Sequence, residues 1–220
     1  MAKSILHKAD SRGQADHGWL KSFHSFSFAG YYNPERMHFG VLRVLNDDCV
    51  NGGMGFGKHP HDNMEIISIP LEGDLEHRDS MGNATVIKKG DIQVMSAGTG
   101  IQHSEYNKNE NEAVKFLQIW IYPKKKNVTP RYDQVSLKMD DRKNKLQQIL
   151  SPNSDDEGVW IHQTPGSIWE HSTMALQQNI PSKNPATASM LLCSKENSTL
   201  MALTLKTAMA SASGKQKNSC

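Results

Sequence analysis

From Phe23 to Ile121 the chain sustains no strong helical period, and its apolar residues come in short runs cut off by turn formers. Val41-Leu42-Arg43-Val44-Leu45 stops at Asn46-Asp47-Asp48, and Ile66-Ile67-Ser68-Ile69-Pro70-Leu71 stops at Glu72-Gly73-Asp74. Asp79-Ser80-Met81-Gly82-Asn83 and Lys89-Gly90-Asp91 are further turns, after which Val114-Lys115-Phe116-Leu117-Gln118-Ile119-Trp120-Ile121-Tyr122 reads as another strand. Short strands at a spacing of about 8–12 residues predict an all-β sandwich or barrel. Pro70 cannot donate to a sheet ladder, so it marks an edge or a bulge. A short turn over residues 143–150, after Met139-Asp140-Asp141-Arg142, is the one helical expectation.

Residues 127–134 read as an exposed linker, and Gly158-Val159-Trp160-Ile161-His162 as the first strand of a second unit. The composition then changes. From residue 164 onward there is no Phe, Tyr or Asp, and Trp169 is the one large aromatic. Ser, Thr, Ala, Asn and Lys dominate, and the Leu and Met residues follow no clear period. Such a stretch is poorly equipped to bury a core.

Two pairs of potential metal ligands stand out, His59-Pro60-His61 and His103-Ser104-Glu105. Alternate residues of a strand share a face, so neighbouring strands carrying these pairs would aim their side chains at one point. Three imidazoles and a carboxylate suit a divalent transition metal with open positions, such as non-haem iron, better than a closed structural zinc site. Taken singly, each histidine would read as an ordinary surface or core residue. The pairs gain weight because Gly53, Gly55 and Gly57 precede the first, and Gly98 and Gly100 the second. Glycines permit sharp turns and close backbone approach. Spacing leaves the carboxylate open between Glu65 and Glu105. His77 reads as a strand residue near the site, and His17, His24 and His38, which lack a paired partner, read as structural.

The net charge is +2, with both signs spread along the chain, which excludes a nucleic-acid-binding stripe or a polybasic membrane patch. Lys124-Lys125-Lys126 reads as a solvated turn. The first residues have no apolar leader, and no stretch reaches membrane-spanning length. Cys49, Cys193 and Cys220 are odd in number and widely spaced, so a reducing compartment fits better than a disulfide framework. The expectation is a cytoplasmic protein with no direct contact to nucleic acid or membrane.

These motifs resemble the cupin superfamily. Gly53, five residues, then His59-x-His61-x-x-x-Glu65 is similar to its first motif, although Gly73 falls one residue late. Gly90 through Gly98 to His103-x-x-x-Asn107 is similar to its second, with Ser96 in place of the usual proline and two extra residues before the histidine. Within cupins the chain closely resembles the pirin family, in particular bacterial pirin-like proteins with quercetin 2,3-dioxygenase activity. The resemblance is carried by His17-Gly18-Trp19-Leu20, Phe26-Ser27-Phe28-Ala29 and Leu42-Arg43-Val44-Leu45-Asn46-Asp47-Asp48. It continues through Gly55-Phe56-Gly57-Lys58-His59-Pro60-His61, Glu76-His77-Arg78-Asp79-Ser80-Met81-Gly82-Asn83 and Met95-Ser96-Ala97-Gly98-Thr99-Gly100-Ile101-Gln102-His103. It covers about residues 3–163.

The resemblance implies a bicupin of two jelly-roll barrels, with one divalent metal, first iron(II) but open to other metals, in the N-terminal barrel. It implies His59, His61, His103 and Glu105 as the ligands, with Glu65 beside a ligand and orienting it. Glu105 is also the implied proton acceptor. The implied activity is oxygen-dependent ring cleavage of flavonols, with a small aromatic substrate and dioxygen as partners. The alternative is a non-enzymatic, iron-binding, redox-sensitive regulator that recognises protein partners.

The domain reading is a metal-binding cupin barrel over 1–135, a linker and the start of a C-terminal cupin over 136–163, and an aberrant tail over 164–220. Joining the last base of each codon to the first two of the next lets residues 163–167 encode D-A-W-F. The same shift lets residues 203–215 encode D-L-E-N-R-D-G-F-G-I-W-E, which resembles a pirin C-terminal barrel. A frameshift near Gln163 is therefore expected.

Overall fold

The computed structural model describes residues 7–137, 146–163, 165–171, 187–193 and 199–206. Among them the one helical element is a 3-10 turn at Ala9–Ser11. The rest is β-structure, as the short apolar runs predict. The first unit contains β1 (Gly13–Asp16), β2 (Leu20–His24), β3 (Leu42–Val50), β4 (Gly55–His61), β5 (Glu65–Glu72) and β6 (Leu75–Asp79). It continues with β7 (Ala84–Ile87), β8 (Asp91–Ser96), β9 (Ile101–Asn107), β10 (Val114–Ile121) and β11 (Arg131–Ser136). A seven-stranded sheet runs β1-β2-β3-β10-β5-β8-β11 and a four-stranded sheet runs β4-β9-β6-β7.

Side-chain alternation explains why these sheets form a sandwich. Val114 and Phe116 of β10 point inward and pack with Leu75 and Ile87 of the smaller sheet. Leu117, Ile119 and Ile121 point the other way, into a second cluster with Ile67, Ile69, Ile92 and Val94. Both faces of the large sheet are thus covered, so its central strands read as continuous apolar runs rather than as an alternation. Removing a buried aromatic such as Phe116, which is fully buried, would cost about 3–5 kcal/mol.

The outer cluster is completed from the second unit by Ile149, Leu150, Val159 and Ile161. There β12 (Leu146–Ser151), β13 (Val159–Trp160), β14 (Pro165–His171), β15 (Thr187–Cys193) and β16 (Thr199–Lys206) form a five-stranded sheet in the order β13-β12-β14-β16-β15. Two expectations are corrected. Residues 146–150 are strand, not a helical turn, because β12 pairs with both β13 and β14 and buries Ile149 and Leu150; residues 143–145 lie outside the described residues. The linker expected over 127–134 is β11 from Arg131 onward, paired in register with β8. Three strands, β14, β15 and β16, fall within residues 164–220, whose other residues lie outside the described ones.

Pro70 sits where both of its sequence readings meet. The β5–β10 register shifts beside it, and β5 pairs with β8 only through Ser68, so beyond that point one edge of β5 is open. Lys124, Lys125 and Lys126 are exposed after β10, and Cys49 is a free, half-buried thiol near the end of β3.

Gly55 lets β4 lie flat on β9. A Cβ there would stand 2.3 Å from the Glu105 carbonyl oxygen and 2.5 Å from the Tyr106 Cα. Both are backbone atoms, so no side-chain rotation relieves the clash. Gly55→Ala should lower stability by about 1–3 kcal/mol, the usual cost of overpacking, read as a fall in thermal midpoint. An unchanged midpoint would contradict the close approach of the two strands.

Candidate metal centre

The four-stranded sheet places β9 between β4 and β6. Along β9 the side chains alternate, so Ile101, His103, Glu105 and Asn107 are buried while Gln102 and Tyr106 face solvent. On one side, His59 of β4 pairs directly with His103. On the other, His77 of β6 pairs directly with Glu105.

The β4–β9 register shifts between Phe56 and His59, where β4 carries one extra residue. This bulge matters to the site. Phe56 and His59 are three apart and would point to opposite faces of a regular strand, yet here both stand opposite inward-facing residues of β9. Phe56 packs on Trp19 and the interior cluster, and His59 joins the other histidines.

The ring centroids of His59, His61 and His103 lie 4.8, 4.4 and 4.9 Å apart for the pairs 59–61, 59–103 and 61–103. Their candidate ligand atoms all lie within 4.8 Å of one another. His59 donates its Nδ1–H to the Gly57 carbonyl at 2.7 Å, which leaves Nε2 bare. His61 Nε2 and both ring nitrogens of His103 are buried without a hydrogen-bond partner among the described residues. Buried polar atoms in native structures are normally satisfied, so this set of bare nitrogens fits a bound metal.

Glu105 is buried and held at both oxygens. Ser68 Oγ donates to Oε1 at 2.8 Å and Gln118 Nε2 to Oε2 at 2.7 Å. Its carboxylate does not share one tight group with all three histidines; it groups with His103 and His77. Of the residues singled out from sequence, the structure therefore gathers His59, His61 and His103, and sets Glu105 beside His103 toward β6. His77 comes closer than expected, with its ring 5.3 Å from His103.

Glu65 corrects an expectation. It lies on the outer face of β5, where it accepts from Ser96 Oγ at 2.6 Å and from the His162 backbone, near Arg131. It orients no ligand; it ties the first unit to the second, and burial pushes its pKa up. His24 is buried against Phe28, while His17 and His38 are exposed, in keeping with structural roles.

Sequence reasoning missed the support behind Glu105. On the inner face of the large sheet, His24, Asn46, Gln118, Ser68, Gln93 and Gln134 stand side by side across six strands. Part of the signal was present as Ser68, Gln93 and Gln118 inside the apolar runs of β5, β8 and β10. Next to this polar row lies a largely apolar one of Val44, Trp120, Ile66 and Met95. Trp120 meets His61 edge-on at 4.9 Å and Phe28 at 5.4 Å. Asp48 is a further buried carboxyl, hydrogen-bonded by Ser22, and burial pushes it up to about 7.

Two β-sheets closed over an interior histidine cluster define a jelly-roll protein of the cupin type with a candidate metal centre. The chain belongs to the pirin family, whose model matches residues 6–121. It is 51% identical over 158 residues to an Escherichia coli (strain K12) protein named quercetin 2,3-dioxygenase, covering 72% of this chain and 67% of that one. A pirin-like protein of Caulobacter vibrioides is 47% identical over 147 residues, 67% of this chain and 63% of that one. The crystal structure of YhhW from Escherichia coli matches with a TM-score of 0.72 and 35% identity, over 91% of this chain and 92% of that one. The same bacterial pirin in complex with nickel(II) matches with a TM-score of 0.71 and 35% identity, over 91% and 93% of the two chains.

Burial, with the neighbouring His103 and His59 rings, pushes His61 down to about 4. Burial, followed by His59 and His77, pushes His103 down to about 3. Both rings are therefore neutral and able to coordinate at neutral pH. In the unfolded chain each takes up a proton below 6.5. The unfolded state then binds more protons, so the metal-free protein loses stability as pH falls from 6.5 towards about 4 and, for His103, about 3. His103→Asn removes its share of this loss. Urea midpoints at about pH 7 and about pH 4.5 should differ less for the variant than for the parent protein; equal differences would contradict the assignment.

Proposed function

We propose that the chain is a metal-dependent oxygenase that opens the ring of flavonols such as quercetin, with His59, His61, His103 and Glu105 holding one divalent metal. Iron(II) is the metal proposed first. The observation that carries this reading is the cluster of three imidazoles, in which His61 and His103 hold buried ring nitrogens without a partner among the described residues. The 51% identity to the Escherichia coli protein named quercetin 2,3-dioxygenase supports the substrate class.

A divalent metal held by these four residues would supply Lewis-acid chemistry, lowering the pKa of a hydroxyl brought to the site. The chain's own residues do the rest. Trp120, Phe28, Ile66, Met95 and Ile101 supply an apolar wall beside His61 for a flat aromatic ring. Glu105 takes the proton of the substrate hydroxyl on a carboxylate oxygen, held in position by Ser68 and Gln118. Dioxygen is the co-substrate, and carbon monoxide leaves on ring opening. We place the protein in the cytoplasm on its odd, widely spaced cysteines, which fit a reducing compartment.

Protein loaded with iron(II) should consume oxygen and bleach quercetin absorbance in step. His59→Ala and Glu105→Ala should each lower this rate by more than the roughly 10–100-fold typical of losing a residue that merely supports a ligand. Tight iron binding with no oxygen uptake by the parent protein would sink the oxygenase reading and favour the redox-sensitive regulator.

For the domains, we propose a metal-binding barrel over 1–135, a linker and start of the C-terminal cupin over 136–163, and a frameshifted tail over 164–220. The tail's composition supports this, as does a sequence identity to the Escherichia coli protein that spans 72% of the chain. Resequencing the coding DNA across residues 162–164 should show a base gained or lost relative to close relatives. An uninterrupted frame in repeated reads would end this proposal.

A further inference from the structure

The centre holds more donors than the four ligands proposed above. Candidate ligand atoms of His77, His103 and Glu105 also lie within 4.8 Å of one another, and all three residues are buried. This second group shares His103 with the first and lies on the other flank of β9. The two strands beside β9 thus offer two overlapping sets of donors, His59 and His61 from β4, and His77 from β6.

The inner set is the better supported of the two. His77 is fully buried, and its Nε2–H donates to Asp79 Oδ2 at 3.2 Å. Asp79 is itself fixed by the backbone N–H groups of Met81 and Asn83 and by the Asn83 side chain. That arrangement sets the tautomer and leaves His77 Nδ1 bare, and this atom is buried without a partner among the described residues. A carboxylate gripping one imidazole nitrogen while the other faces the metal is the usual support of a ligating histidine. Glu105 is clamped at both oxygens by Ser68 and Gln118. His59 and His61, by contrast, sit on the edge strand β4, whose residues are half-buried or exposed.

We propose that His77, His103 and Glu105 form a second, deeper metal position, in which the ion exchanges the His59–His61 pair for His77. In this proposal one ion occupies the centre at a time, drawing on His103 and Glu105 in either position. This rests on the reading that the histidine cluster binds a divalent metal at all.

Cobalt(II), followed by calorimetry and by its visible absorption, is the probe on the full chain. The parent protein should bind about one equivalent, the stoichiometry of an ion that exchanges between the two positions. His59→Ala/His61→Ala, checked for folding by circular dichroism and melting, should still bind about one equivalent with an altered spectrum. Adding His77→Ala should weaken that remaining binding by at least about 10-fold. Asp79→Asn in the same double-variant background should also weaken it and covers the case in which the His77 variant does not fold. A folded double variant that binds no cobalt would overturn the inner position while leaving the four-ligand reading standing. Binding by the double variant that His77→Ala and Asp79→Asn both leave unchanged would also overturn it. A parent protein that binds no cobalt would remove the centre itself and both readings with it.

Discussion

The pairing of β4 with β9 is the contact on which the site depends. It brings His59 directly opposite His103, and it works because Gly55 leaves no Cβ between the two backbones. One extra residue in β4 then turns Phe56 and His59 to the same inward face. A single bulge so joins a packing contact to a ligand. A strand edge that approached less closely, or paired without the bulge, would send one of the two side chains into solvent.

The large sheet plays the opposite part. Its central strands are buried on both faces, so they form a stiff wall rather than a solvated surface. Burying amides and hydroxyls in such a wall costs stability unless they find partners. The polar row from His24 to Gln134 accepts that cost, and two of its members, Ser68 and Gln118, reach across the interior to hold Glu105. The site is therefore built between an edge strand that supplies histidines and a buried sheet that supplies hydrogen bonds. Its apolar neighbour row, with Trp120 against His61, adds a dry wall on one side.

Much of this was legible in the sequence, for identifiable reasons. The short apolar runs carried the β class because strand length and turn residues are local properties. The two ligand pairs at i, i+2 carried the site because a strand's period is fixed. Other features depend on which strands become neighbours. His77 looked like a residue near the site until β6 was seen to flank β9. Glu65 shares a face with His61 in a regular strand, but Asp62-Asn63-Met64 separates the two strands and Glu65 turns outward to Ser96 and His162. Residues 131–134 looked like linker because Tyr132 and Gln134 bond to Thr85, Val86 and Asp91 rather than forming an apolar stripe.

The central claim is that β4 and β9 place a metal among His59, His61 and His103, next to Glu105. Anomalous diffraction at the iron edge, from crystals of the full chain grown with iron(II), tests it most directly. The account predicts a peak bounded by these three imidazoles and next to Glu105. A well-ordered histidine cluster with no peak beside His103, or a peak away from both His103 and Glu105, would contradict it.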